Sequence, residues 1–257
     1  MKLGLIQGRL MRPEDGWIQE FPTCWVEEFI KAKTLGFGHI EWIVTERSFD
    51  TNPIFTEDCK DYSISSICAD NLVNKDFTNG DFLFHNLDPI CRAAIKNKVE
   101  FVTIPLLEDS SISDRDVRDK FTSLILGYSD KYPGLRFSFE AETSADNVLE
   151  LASLRDNFYI TYDTGNITSE GIDHKNYIEK TFHKINNVHL KDRTYSAETV
   201  PPLSGDTNFD LIFNTLASVG YDNLYTIQTA RGKTGSEIRT MKQHKNIFER
   251  LYNAAYS

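Results

Sequence analysis

The sequence predicts a single (β/α)8 barrel, and three observations carry that reading. Eight short apolar, β-branched runs recur along 257 residues, and stretches of helical period separate them. No linker, low-complexity segment or charge block divides the chain, so one domain over 1–257 is expected.

The strand-like runs are Lys2–Gln7, His39–Val44, Ser63–Cys68, Phe101–Pro105, Arg136–Glu140, Tyr159–Asp163, Asn187–Lys191 and Leu224–Thr229. Helical period covers Trp25–Leu35, Phe82–Lys98, Asp114–Tyr128, Ala145–Leu154, Tyr177–His183, Phe209–Ser218 and Ser236–Tyr252. The punctuation agrees: Thr23 and Ser144 stand where N-caps are wanted, and Gly36 and Gly220 where helices end in a left-handed residue. "LGFGHIEW" and "VGYDNLYT" repeat one order of helix end, Gly, aromatic and strand, as a repeated βα unit requires. A doubly wound open sheet is the competing layout. It calls for a glycine-rich phosphate turn after an early strand, and "GRLMRPEDG" lacks that spacing.

Composition narrows the function. Hydrophobic residues at 40% and charged residues at 26% describe a soluble globular chain. A net charge of −10 without a local basic patch argues against nucleic acid or an anionic membrane as partner. "MKLGLIQGRL" reads as a strand rather than a signal peptide, and no stretch approaches the roughly 18 apolar residues of a membrane span. Cys24, Cys59, Cys68 and Cys91 show no CxxC spacing, which suits a reducing cytoplasm.

In such barrels the chemistry sits at the C-terminal ends of the strands, and here those ends are polar. They carry Gln7 and Arg9, Glu41, Cys68 and Asp70, Glu108 and Asp109, Glu140 and Glu142, Asp163 and Asn166, His189 with Lys191 and Asp192, and Gln228 with Arg231. Glu140, Asp163, His189 and Gln228 follow or sit within apolar runs whose neighbours should be buried. Buried charges are costly unless paired or metal-bound, and four such donors at one pole suit Mn²⁺, Mg²⁺, Co²⁺ or Zn²⁺.

"FSFE", "YITYDTGN", "NVHLKDR" and "YTIQTAR", in that order on successive strands, resemble the xylose isomerase-like TIM barrels, and "GLIQGRL", "GFGHIEW" and "SISSICAD" fit the early strands. The superfamily holds sugar and sugar-phosphate isomerases and epimerases, inosose dehydratases and endonuclease IV-type enzymes. The resemblance implies one divalent metal ion held at Glu140, Asp163, His189 and Gln228. It also implies a small-molecule sugar or sugar phosphate as partner. Gln228 departs from the pattern, because the epimerases place Glu there.

An amide oxygen still ligates a hard cation, but it cannot exchange a proton at neutral pH. Inversion by two metal-bound glutamates is therefore disfavoured. Suprafacial aldose–ketose isomerisation needs one base, which Glu140 supplies. Glu108, Asp70 and Lys191 are candidates for a second base.

The remaining expectations concern substrate. Lys191 and Asp192 could bind a hydroxyl or phosphate and orient His189 through its second nitrogen, or form a local ion pair. Arg9, Arg193 and Arg231 could clamp a phosphate or carboxylate, or be solvated. Glu41 could bond a sugar hydroxyl or pair with Arg9, and Asn166 is a further substrate contact. Trp17, Trp42 and Phe21 could stack on a sugar ring, whereas Trp25 is core. His39, His85, His174, His183 and His244 read as surface or capping groups. "PLSGDTNFD" (202–210) could close over the site or be an ordinary turn and N-cap.

Three other functions stay open. An inosose-type dehydratase shares the metal and base, and a non-catalytic carbohydrate-binding barrel would explain Gln228. An endonuclease would need more ligands and a basic surface. The sequence leaves a homo-oligomer open.

Overall fold

A computed structural model describes residues 1–14 and 21–257. Its strands are β1 (Lys2–Ile6), β2 (Ile40–Ile43), β3 (Ile64–Cys68), β4 (Phe101–Leu106), β5 (Arg136–Ala141), β6 (Phe158–Asp163), β7 (Ile185–Leu190), β8 (Asp192–Arg193), β9 (Thr199–Val200) and β10 (Leu224–Ile227). Its α-helices are α1 (Trp25–Thr34), α2 (Pro53–Thr56), α3 (Gly80–Asn86), α4 (Asp88–Lys96), α5 (Arg115–Lys131), α6 (Ala145–Ala152), α7 (Thr164–Ser169), α8 (His174–Thr181), α9 (Phe209–Ser218) and α10 (Glu237–Ala255). Eight parallel strands close into a barrel in the order β1-β10-β7-β6-β5-β4-β3-β2, while β8 and β9 form a separate antiparallel ribbon beyond β7. The predicted fold is the observed one.

The repeated return is built as its sequence suggests. Gly36 and Gly220 take φ of 74° and 71°, the left-handed region in which Gly meets no Cβ penalty. The next residues, Phe37 and Tyr221, fold back so that their N–H groups donate to Ala32 and Leu216 carbonyls at 2.9 Å. This satisfies carbonyls orphaned at the ends of α1 and α9 and buries the aromatic ring under the barrel.

Some local expectations change. The helical stretch 82–98 splits into α3 and α4 at Leu87, because Pro89 lacks the N–H an uninterrupted helix would use. Ser144 caps α6 by accepting from the Asn147 N–H. Thr23 does not cap α1: Cys24 holds that position without a side-chain bond, and Thr23 donates instead to the Glu14 carboxylate. The unpredicted α7 starts directly from β6, with Asp163 as its N-cap.

Trp42 is core rather than a sugar platform. It is fully buried against Trp25 and Phe29 of α1, and its indole N–H donates to Asn52. Phe21 stacks on Trp42 and reaches the cavity described below; Trp17 lies outside the described residues. The four cysteines are free thiols, and all but Cys24 are buried. Among the described residues no helix is long and apolar enough to cross a membrane.

His39, His174 and His244 are buried, not surface groups; His85 and His183 are exposed. His174 contacts the Tyr162 and Thr168 hydroxyls and His244 the Thr229 hydroxyl. Burial pushes both imidazoles down from 6.5 to about 4, against nearby acidic charge for His174 and with the help of Arg9 for His244. Folded-state values below unfolded ones mean that full stability is present above about pH 6.5. It is lost toward pH 4, as the unfolded chain takes up protons the folded chain refuses. Each histidine is expected to contribute on the order of 2 kcal/mol of acid sensitivity by pH 5. Urea unfolding at pH 7.5 and pH 5 checks this, since His244→Gln should show a smaller difference between the two pH values than the parent.

Candidate metal centre

Barrel register brings together groups far apart in sequence. In β6 the side chains of Thr161 and Asp163 share one face; Thr161 is the neighbour of Glu140 on β5 and Asp163 of His189 on β7. His189 in turn neighbours Thr226 on β10, and Gln228, two residues on, continues the ladder by donating its N–H to the Leu190 carbonyl. The inward residues therefore converge at the C-terminal mouth, as expected for this architecture.

Glu140, Asp163 and His189 are all buried, and each offers one donor atom within 4.8 Å of the others. His189 Nδ1 lies 3.3 Å from Glu140 Oε2 and 3.9 Å from Asp163 Oδ2. That nitrogen makes no hydrogen bond among the described residues. A buried imidazole nitrogen aimed between two carboxylate oxygens, with nothing hydrogen-bonded to it, is the arrangement a divalent ion would complete.

The other half of the imidazole is firmly held. His189 Nε2 lies 2.7 Å from Glu41 Oε2, which also accepts from Asn187 Nδ2 at 3.1 Å. Glu41 is fully buried and outside the cavity lining, with its Oε2 turned to His189 and Asn187. Burial pushes its carboxyl up, but His189 more than offsets this and holds it below the ordinary value. Burial likewise lowers His189, and the charges of Glu41 and Glu140 outweigh it, leaving the imidazole well above 6.5. A cation at Nδ1 would take the place of that proton.

A second network flanks the first. Lys191 Nζ stands 2.9 Å from Asp163 Oδ2 and 3.3 Å from Asn166 Oδ1. Asn166 donates its amide to Glu140 Oε1 at 3.0 Å, and its backbone N–H to Asp163 Oδ1 at 2.8 Å. Burial raises the Asp163 carboxyl, but Lys191 and His189 together bring it below the usual range. With His189 neutral, Glu41, Glu140 and Asp163 against Lys191 leave two net negative charges, which one divalent ion balances. Gly165 makes the Lys191 path possible: a Cβ there would lie 2.8 Å from Lys191 Cγ.

Above the cluster opens a cavity of about 860 Å³. Arg9, Asp70, Glu108, Glu140, Lys191, Arg193 and Gln228 line it. Arg193 is half-buried, with Nη1 3.4 Å from Glu142 Oε1. Glu142 Oε2 accepts the Glu108 N–H at 3.0 Å, and burial pushes the Glu142 carboxyl up. Glu108 has φ of 54° and Asn74 φ of 58°, left-handed conformations that are costly for residues other than Gly. The pair is clasped at the rim by Asn74 Nδ2 donating to Glu108 Oε2 at 2.6 Å.

Two residues expected at the substrate lie outside the cavity lining. Asp192 accepts from the backbone N–H groups of Ser204, Gly205 and Thr207, so its carboxylate fastens the segment after β9. It does not orient His189. That segment (202–210) does not line the cavity, and Gly205 packs so closely on Asp192 that a Cβ would come within 2.4 Å of Oδ1. Its end is an ordinary cap, Asn208 of α9. Arg231 donates to the Met11 carbonyl and stays outside the cavity lining, because the chain has already turned away from β10.

Sequence reasoning missed Asn187 and Asn74. Asn187 was findable, since it lies two residues before His189 and so shares its inward face. Nothing local marked Asn74.

No family model matches the sequence, and no curated protein matches it either. Solved structures do. An IolI protein with a bound zinc atom has a TM-score of 0.75 at 14% identity, covering 100% of both chains. L-ribulose 3-epimerase has a TM-score of 0.73 at 15% identity, over 98% of this chain and 95% of that one. A xylose isomerase-like TIM barrel protein from Mycobacterium smegmatis in complex with magnesium has a TM-score of 0.65 at 16% identity, over 99% and 97%. At these identities the likeness speaks for the fold.

Proposed function

We propose that this barrel is a divalent-metal-dependent sugar or sugar-phosphate isomerase, related to the epimerases, in which Glu140 is the base. The carrying observation is the convergence of Glu140, Asp163 and the unbonded His189 Nδ1 below a polar cavity at the barrel mouth. Glu140, Asp163, His189 and the Gln228 amide oxygen would hold the ion, Mn²⁺, Mg²⁺, Co²⁺ or Zn²⁺. When bound there, the ion would polarise the carbonyl and adjacent hydroxyl of a substrate. The volume suits a monosaccharide.

The protein's own residues then divide the work. Glu140 removes the proton from the hydroxyl-bearing carbon beside the carbonyl and returns it to the carbonyl carbon, while the hydroxyl proton passes to the former carbonyl oxygen; Asn166 fixes the angle of the Glu140 carboxylate. Lys191 compensates the negative charge that develops on the substrate oxygens. Gln228 lines the cavity but has no proton to exchange, which favours one-base transfer over inversion by two glutamates. Arg9 and Arg193 offer guanidinium groups to a distal phosphate or hydroxyl.

An inosose-type dehydratase is the second reading. It is supported by the Lys191 ammonium, which lines the cavity with Glu140 and could protonate a leaving hydroxyl. Incubation with ketoses, ketose phosphates and inososes in D₂O with Mn²⁺, followed by NMR, separates the readings. Hydrogen transfer between adjacent carbons supports isomerisation, and loss of water supports dehydration. Deuterium at one inverted stereocentre would overturn the one-base argument, and inertness toward the whole panel would favour a carbohydrate-binding barrel.

A further inference from the structure

We propose that Glu41 is a positioning residue for the metal centre: it holds the His189 Nε2–H and so leaves Nδ1 as the ligand. This rests on the metal-binding reading above. A neutral imidazole carries one N–H, and which nitrogen carries it decides which nitrogen can bind a metal. The two nitrogens of His189 have opposite surroundings. Nε2 lies 2.7 Å from Glu41 Oε2, whereas Nδ1 faces Glu140 and Asp163 without a hydrogen bond.

Burial makes the assignment strong. His189 and Glu41 are both fully buried, so water cannot substitute for the carboxylate. Glu41 is itself held on the same oxygen by Asn187, which stands one inward position before His189 on β7. The carboxylate is thus aimed by the strand that carries the ligand it aims. His39, the other imidazole near Glu41, contacts the Thr226 hydroxyl, and Thr226 donates to Asn187 Oδ1. The Asn187 amide is thereby fixed with its nitrogen toward Glu41. Partners of this kind change metal affinity by about 10–100-fold when removed.

The test uses Glu41→Leu, which removes the acceptor, and Glu41→Gln, which keeps an acceptor without the charge. Zinc affinity of the metal-stripped protein is read by titration calorimetry, and the His189 Nε2–H by ¹H–¹⁵N NMR with and without zinc. Zinc binding is expected to weaken about 10–100-fold in Glu41→Leu and less in Glu41→Gln. The Nε2–H signal should be strongly downfield in the parent, shifted upfield in Glu41→Gln and exchange-broadened or absent in Glu41→Leu. Should Glu41→Leu fail to fold, the Glu41→Gln shifts decide alone. Unchanged affinity together with an unchanged Nε2–H would overturn the proposal. A parent that binds no zinc overturns the metal reading instead, while the zinc-free NMR still reports whether Glu41 holds His189.

Discussion

Glu140→Gln is expected to lower turnover on the substrate found by the D₂O screen by about 10²–10⁴-fold, the usual worth of a positioned general base. The change is nearly isosteric. Gln keeps an oxygen to accept from Asn166 Nδ2, so the bond at 3.0 Å can persist. The fold should survive, because Glu140 sits in no ion pair with Lys191, and Gln still offers an oxygen toward His189 Nδ1, which lies 3.3 Å from Glu140 Oε2. Lost exchange of substrate hydrogen in single-turnover NMR at saturating metal, with a retained cooperative thermal transition, is the expected pair of results. Retained exchange would move the base to another residue, and Glu108, Asp70 and Lys191 all reach the cavity.

Asp163→Ala should act on stability as strongly as on chemistry. Lys191 is 7% exposed and its ammonium is 2.9 Å from Asp163 Oδ2. Removing one partner of a buried ion pair costs about 3–5 kcal/mol, since the remaining charge is stranded. Loss of the N-cap of α7 adds about 1 kcal/mol. Denaturant unfolding at pH 7.5 measures the sum. Adding Lys191→Met to Asp163→Ala should recover a large part of the ion-pair loss, which separates the stranded charge from the missing cap.

Much of this arrangement could be read from the chain, for a definite reason. Strand and helix alternate, and each strand shows its polar residue at the same end, so the fold and the pole of the site follow together. What stayed hidden was direction across the strand. Strands of a parallel barrel are buried on both faces, so an apolar run does not say which side faces in. Glu41 and Trp42 illustrate this. As neighbours they must point oppositely. Glu41 points inward to His189, and Trp42 therefore packs outward on α1. Placing both at a sugar was incompatible with the pleat.

Beyond the strand ends the rule weakens further, because loops set their own course. Arg231 and Asp192 were assigned to substrate by position along the chain. Arg231 donates to the Met11 carbonyl and Asp192 accepts from the 204–207 backbone, contacts that no periodicity encodes. The short helix α7 was more legible than it was taken to be: "DTGN" places a capping Asp three residues before the Asn whose N–H it accepts. The three buried histidines were missed because each is satisfied by a hydroxyl from another element.

The central claim is that the Glu140, Asp163 and His189 cluster holds one divalent cation, with Gln228 beside it. Calorimetric titration of metal-stripped protein with Zn²⁺ or Mn²⁺, alongside His189→Ala, tests it most directly. One equivalent bound by the parent, and binding weakened at least about 100-fold in His189→Ala, is the predicted result. No binding by the parent, or equal binding by both proteins, would contradict it.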